Sequence, residues 1–378
     1  MTRTVSLVLV DPAGVLLGAL PPFPVTTPWW QEVSEFTAGA GAGVTVLRIL
    51  HADRPRPPGG HVTYLAETAQ RPDGLIPAGA DLAPHPRRAP YAEVGGPTAS
   101  LAWAAGAMDR IGITGTVARQ QRTWNLSAIW RLDTHDGTTA AWLKQVPAFF
   151  RHEPAVLRLV DAVVPGLVPY VLAAGDDGRT LLAHVPGEDQ YGAGPQRCDE
   201  IAAAFHPVQE HFAGRVDDLL AAGVPDRRLS VRPFVDVAAP YLDGITGLAE
   251  LIDGLPGRFA EVAACGLPDT LLHGDLHGGN TIAGDGPPVI VDWGDSAVGN
   301  PAFDVLRLSE DREVLEKWAG RWPGCDALRA VELLRPVAEL RGAVAYAEFL
   351  ANIEPAEWPY HAGDVPDCLA RAVEAAAA

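Results

Sequence analysis

Residues 271–304 read Leu271-Leu-His273-Gly-Asp275-Leu-His-Gly-Gly-Asn280, a turn-rich gap, Val289-Ile-Val-Asp292-Trp-Gly-Asp295, and then Gly299-Asn-Pro-Ala-Phe-Asp304. The short apolar runs Thr270 to Leu272 and Val289 to Val291 predict buried strands, so the carboxylates that follow each run lie on loops at strand ends. Asp275 and Asn280 stand five residues apart on a loop carrying three glycines. Such a loop can bend tightly enough to aim both side chains into one cleft. Asp292 follows Asn280 by twelve residues. That length allows a turn over Gly284-Asp-Gly-Pro-Pro288 and a returning strand that brings Asp292 alongside. An acid able to accept a hydroxyl proton, with an amide oxygen and a second carboxylate as hard oxygen ligands, is the set that magnesium-assisted phosphoryl transfer requires.

The spacing repeats that of the protein-kinase catalytic loop, H-R-D-x-x-x-x-N followed by D-F-G, with Gly274 and Trp293 as departures. The run His273 to Asn280 with Asp292-Trp293-Gly294 resembles the aminoglycoside phosphotransferase family, small-molecule kinases built on the protein-kinase fold. The resemblance spans about residues 98–370. It implies an α+β, bilobal protein-kinase-like fold with a mainly β N-lobe and a helical C-lobe, using ATP or GTP and Mg.

Composition sets outer bounds. A chain of 378 residues has room for two or three domains and a sizeable core. Its net charge of -18 argues against nucleic acid or an anionic membrane as partner and is compatible with a cationic substrate. Cys198, Cys265, Cys325 and Cys368 show neither paired metal spacing nor disulfide density, which suits a reducing, cytoplasmic setting. The apolar start at Val5 to Val10 is cut by Asp11 and fits a first strand better than a signal peptide. No run approaches the length of a membrane span.

In chain order, residues 5–10 and 15–20 around Asp11-Pro-Ala-Gly14 predict a hairpin, with further strands at 43–50 and 61–67. This layout, with Trp29-Trp30-Gln-Glu-Val33, resembles a Nudix domain. The glutamate-rich metal-binding helix is missing, since Glu32 and Glu35 stand alone before the Ala/Gly stretch Thr37 to Gly43. Residues 1–90 therefore read as a degenerate, small α/β Nudix-like module. Residues 71–97 are rich in Pro and Gly and predict a linker, and 98–111 have the spacing of a helix. Together 91–114 form a linker and leading helix.

Residues 115–186 predict the N-lobe, with strands at 122–127, 128–132 and 139–146, then 168–175 and 180–187. The family resemblance places Lys144 against the nucleotide phosphates and Glu153 as its ion-pair partner. No Gly-rich signature precedes Lys144, so the loop 123–127 would hold phosphate through backbone N–H groups and the Ser127 hydroxyl. Ala183, His184 and Val185 fall at the family's hinge, beside the adenine edge. Residues 187–378 predict the C-lobe, with helices near 196–222, 229–242, 245–265, 326–353 and 365–377.

The resemblance assigns Asp275 to catalysis, Asn280 and Asp292 to metal, and His273 and Asp304 to bracing the loop. Acceptor candidates are Asp295, Glu354, Glu357, Trp358, His361 and Asp364. The implied activity is transfer of a γ-phosphoryl group to a hydroxyl of a polyhydroxylated natural product, an antibiotic and first of all an aminoglycoside. The alternatives are a nucleoside antibiotic, a metabolite such as an amino sugar, choline or homoserine, or, in another class, a pseudokinase that only binds nucleotide or ligand. The partner is a small hydroxyl acceptor, and oligomeric state is left open.

Overall fold

The computed structural model describes residues 2–40, 43–284 and 286–377, so the expected turn residue Asp285 and part of the Ala/Gly stretch, Gly41 and Ala42, lie outside the described residues. The chain is α+β and divides into two compact units. Unit 1 comprises Met1–Arg151, Val171–His184 and Glu348–Gly363, and unit 2 comprises His152–Tyr170, Val185–Ala347 and Asp364–Ala378.

Unit 1 contains two sheets. The first is built from β1 (Arg3–Val10), β2 (Leu16–Ala19), β3 (Phe23–Val25), β4 (Val44–Ala52) and β5 (Gly60–Thr68), in the order β2-β1-β5-β4 with β3 also paired to β1; helix α1 (Ser34–Gly39) lies between β3 and β4 in sequence. The β1–β2 hairpin forms because the Asp11 carboxylate accepts the backbone N–H groups of Ala13 and Val15 and Gly14 takes a φ of 80°. Strand β1 is central and apolar on both faces. Val5, Leu7 and Leu9 pack with Trp30, Phe36 and Tyr64, while Val8 and Val10 pack with Leu47 and Leu65. Its parallel pairing with β5 has no local sequence signal.

Helix α2 (Gly96–Arg110) covers the second sheet, which is antiparallel: β6 (Val117–Thr123), β7 (Ala128–Asp133), β8 (Thr139–Gln145), β10 (Arg179–Ala183) and β9 (Val171–Ala174), in that spatial order. Trp130, Leu132, Ala141, Leu143 and Leu181 pack against Ala104, Ala107 and Met108 of α2. Because side chains alternate along β8, Lys144 points to the face opposite Leu143 and away from this core.

Three expectations are corrected in unit 1. The strand predicted at 122–127 is displaced: β6 starts at Val117, and beyond Thr123 a turn brings the Trp124 N–H to the Ser127 carbonyl. The polar start of β6 is stabilised from elsewhere, since the Gln120 side chain bonds both N–H and C=O of Val46, at 2.9 and 2.7 Å. Val33 N–H donates to Gln121 O and Thr123 N–H to Gln31 O, so the edge of the second sheet is covered by the first 90 residues. No division between units therefore falls at residue 90. Residues 71–97 are likewise tied down: Ile76 exchanges both backbone hydrogen bonds with Ala19, and Tyr91 is buried.

Unit 2 begins with α3 (Glu153–Val163) and continues through β11 (Glu188–Asp189), α4 (Pro195–Phe212), α5 (Val216–Ala221), α6 (Val231–Ala238) and α7 (Leu248–Ala264). The single helix expected over 196–222 is broken into α4 and α5, with Gly214 at φ 77° in the break. Strands β12 (Thr270–Leu272) and β15 (Ala297–Gly299) pair with each other, while β13 (Thr281–Ala283) and β14 (Val289–Ile290) form a hairpin extended by β11. Helices α8 (Ala302–Leu308), α9 (Arg312–Ala319), α10 (Ala327–Asn352) and α11 (Asp364–Ala377) complete the chain, and α10 runs on from unit 2 into unit 1. Among the described residues no helix is long and apolar enough to cross a membrane.

Candidate active site

Strand β12 is wholly buried and delivers His273 to a position with no solvent exposure. The His273 ring donates from Nε2 to the Val291 carbonyl at 2.9 Å and accepts the Asp275 backbone N–H at Nδ1, so one imidazole joins the two loops. Burial lowers its pKa, which keeps the ring neutral and able to do both. Asp304, at the start of α8, accepts the backbone N–H groups of His273 and Gly274, each at 3.0 Å, and the Gln209 side-chain amide at 3.1 Å. Burial raises Asp304 to about 6 against the pull of these donors. Gly274 takes φ 87°, and a Cβ there would run into the Asp295 carbonyl. Glycine is required at that point of the loop for both reasons.

Asp275 carries the densest polar surroundings of the loop. Its Oδ2 accepts from Asn280 Nδ2 at 3.1 Å and lies 3.4 Å from His277 Nε2, while Oδ1 accepts from Arg307 Nε at 2.7 Å. Burial opposes its charge, but His277 and Arg307 outweigh burial and hold the carboxyl at about 2. The Asn280 amide nitrogen also donates to the Asp275 carbonyl at 3.0 Å. With its nitrogen so spent, Asn280 turns its oxygen elsewhere, the orientation a metal ligand needs.

The β13–β14 hairpin aligns Thr281 with Ile290, and Val291 N–H donates to Asn280 O at 2.9 Å, which brings Asp292 back beside the asparagine. Asp292 sits at φ 63°, a left-handed conformation uncommon outside glycine. Such strain persists only where the surroundings impose it. Here Glu153, buried at the start of α3, accepts the Trp293 N–H at 3.0 Å, and the Trp293 indole donates to Ile290 O. Two oxygen donors held on one hairpin fit a magnesium ion, which keeps most of its coordination for water and phosphate. Among the described residues no cluster of three or more His, Cys, Asp or Glu side chains is arranged to hold a metal.

Lys144 is buried on β8, paired through its backbone with Ile129 and Thr180. It belongs to unit 1 and Glu153 to unit 2. Ser127 closes the turn after β6, its hydroxyl taken by the Trp124 indole at 3.1 Å. Ala183 ends β10, His184 accepts at Nδ1 from the Trp142 indole, and Val185 begins the next stretch of unit 2.

The expected acceptor set is split. Asp295 and Asp364 lie in unit 2 with Asp275, whereas Glu354, Glu357, Trp358 and His361 lie in unit 1. Glu354 forms a two-pronged ion pair with Arg88, and Glu357 accepts the Ile49 N–H and the Asn125 amide. His361 bonds Asn125 at 2.9 Å, and Tyr360 packs edge-on against Trp30 and Trp124. Trp358 is half exposed, with its indole N–H donated to Leu350 O. This corrects the reading of 354–364 as one acceptor loop: Glu354, Glu357 and His361 are buried and bonded within unit 1. The partners of these side chains lie 230 or more residues away, as with Asn125 to Glu357, 232 apart, so no local pattern shows them. His277, Gln209 and Arg307 were missed. Arg307 had a signal, since it follows Asp304 by three residues on one helical turn.

Similar folds occur in a choline kinase from Streptococcus pneumoniae (TM-score 0.53, 12% identity, covering 73% of this chain and 98% of that one). They occur also in a macrolide 2'-phosphotransferase from Brachybacterium faecium (0.50, 16%, 73% and 98%) and in the GDP complex of an aminoglycoside 2'-phosphotransferase (0.52, 15%, 74% and 97%). The fold is thus the kinase-like one of small-molecule phosphotransferases. Residues 123–359 match the model of the phosphotransferase enzyme family, and the chain belongs to that family. It is a nucleotide-using phosphotransferase whose acceptor is a hydroxyl group. No curated protein matches the chain.

Proposed function

We propose that the protein is a magnesium-dependent kinase that moves the terminal phosphoryl group of ATP or GTP to a hydroxyl of a small natural product. The observation that carries this reading is the bonded unit of Asp275, Asn280, His273 and Asp304, which holds an ionised carboxylate one side chain from a metal-oriented amide. Asp275 accepts the acceptor's hydroxyl proton as the new O–P bond forms and the bond to the nucleotide's bridging oxygen breaks. Because the transition state is loose, orientation matters more than base strength, which suits a carboxyl held at about 2. In unit 2 Asn280 and Asp292 would hold the magnesium; the family pattern assigns Lys144 and Ser127 of unit 1 to phosphate, and Ala183, His184 and Val185 to the base. Bound magnesium would neutralise phosphate charge.

For the acceptor, the burial of Glu354, Glu357 and His361 removes most of the acidic mouth that would favour a polycation such as an aminoglycoside. Asp295 and Asp364 remain as acceptor-side residues, and an antibiotic remains within the class. The test is a panel of hydroxyl compounds with ATP, magnesium and ADP detection, run beside calorimetric ATP affinity of the wild type and Asp292→Ala. Acceptor-dependent ADP, and magnesium-dependent ATP binding lost in Asp292→Ala, are expected. Magnesium-dependent binding with no turnover of any acceptor would favour the pseudokinase, and ATP affinity indifferent to magnesium would overturn the metal assignment.

A further inference from the structure

Arg307 donates directly to the proposed catalytic carboxylate, on the oxygen that His277 does not face, and its placement is built rather than incidental. Helix α8 is pinned to the catalytic loop by Asp304, which grips the His273 and Gly274 N–H groups. Arg307, three residues on, rises from the same side of that turn and sets its Nε 2.7 Å from Asp275 Oδ1. Only this nitrogen of the guanidinium is engaged by a hydrogen bond among the described residues, and the side chain is 53% exposed. Its two Nη groups therefore keep donors available to a ligand beside Asp275. On the other side, Oδ2 of the carboxylate faces both Asn280 and His277, whereas Oδ1 is bonded only by Arg307 among the described residues and keeps a lone pair for an acceptor hydroxyl beside the guanidinium.

Arg341 is stacked on the Phe303 ring of α8 with its charge 4.2 Å from the ring centre, and it is buried near Asp304, Asp295 and Arg227, so its charge is balanced locally and Arg307 is the arginine at Asp275 itself. The acidic groups on this side, Asp295 and Asp364, are each engaged with partners of their own.

We propose that Arg307 makes the acceptor subsite selective for a hydroxyl compound that carries an oxyanion, a carboxylate or a phosphate, next to the reacting hydroxyl. A guanidinium presents parallel N–H donors that match two oxygens of such a group, and the same charge repels an ammonium brought to that position. This rests on the reading of Asp275 as the acceptor-side base. It separates the protein from choline-type or polyamine acceptors by a single residue.

The experiment uses the full chain loaded with ADP and magnesium. Glycerate, glycerol 3-phosphate, glycerol and choline are titrated by NMR, with the Arg307 Nε–H resonance followed alongside. The expected result is at least tenfold tighter binding of glycerate or glycerol 3-phosphate than of glycerol or choline, with a shift of that resonance. Whichever of the two oxyanions binds more tightly tells carboxylate from phosphate. In Arg307→Gln the preference should vanish, and in Arg307→Lys it should survive in part. Thermal unfolding of both variants should match wild type, which a merely structural arginine would not allow. Equal binding of all four probes, tighter binding of choline, or no binding of either oxyanion would overturn the proposal. Magnesium-dependent nucleotide affinity in the same samples tells that failure from failure of the kinase reading, because only the latter would abolish it.

Discussion

Glu357 in unit 1 and Asp275 in unit 2 are both carboxylates in crowded surroundings, yet their environments push them in opposite directions. Burial raises Glu357 to about 8, helped by the neighbouring Glu354, and the Ile49 N–H, the Asn125 amide and Arg48 recover only part of that cost. Burial opposes charge at Asp275 too, but His277 and Arg307 reverse the balance and hold it at about 2. The difference lies in cations within bonding reach and in access to water, not in residue type. It separates a carboxyl enclosed in packing from one that is ionised and partly exposed. In the sequence Asp275 is marked by its motif spacing, whereas Glu357 is marked only by its place in a polar C-lobe loop.

The largest effect expected is on turnover. Asp275→Asn removes the proton acceptor while keeping the shape, so kcat should fall by about 10²–10⁴ with ATP affinity nearly unchanged. Single-turnover kinetics and calorimetry check this, and turnover within threefold of wild type would end the contrast.

Next, Glu357→Ala should lower the stability of unit 1 by about 2–4 kcal/mol, since it leaves the Ile49 N–H without its partner and opens a hole. Urea denaturation measures it. A neutral result would mean that Glu357 does not lock this packing.

Smaller still, Gln120→Leu should cost about 1–3 kcal/mol by stranding both Val46 backbone groups. Retained stability there would mean that the cover over the β6 edge is not maintained by that amide.

The pH dependence sharpens the comparison with the sign explicit. Glu357 is raised from 4.5 to about 8, so its contribution to stability is complete below pH 4.5 and is lost as pH rises through 8. Asp275 is lowered from 3.8 to about 2, so its contribution is present above pH 3.8 and is lost as pH falls through 2. Denaturation midpoints followed from pH 3 to 9 should therefore decline on the alkaline side in the wild type. That decline should flatten in Glu357→Gln, and an unchanged slope would contradict the raised value.

The motif run His273 to Asn280 with Asp292-Trp293-Gly294 was enough to read the family and the kinase-like fold, and its two loops are closed by local bonds. These depend on contacts close in the chain: Asn280 to Asp275 over five residues, His273 to Val291 over 18, and Asp304 to His273 over 31. Turn glycines and short apolar runs encode such contacts directly. Apart from Asp304, which the family pattern supplied, what remained illegible was set by distant partners. The polar beginning of β6 is a strand because Val46, 74 residues earlier, bonds Gln120. Glu354, Glu357 and His361 are buried and bonded because Arg88, Ile49 and Asn125 reach them from the first third of the chain. Arg307 became the neighbour of Asp275 only once α8 was pinned to the loop. Only tertiary structure decides such roles, because the burial and charge around a side chain come from segments that no local pattern can specify.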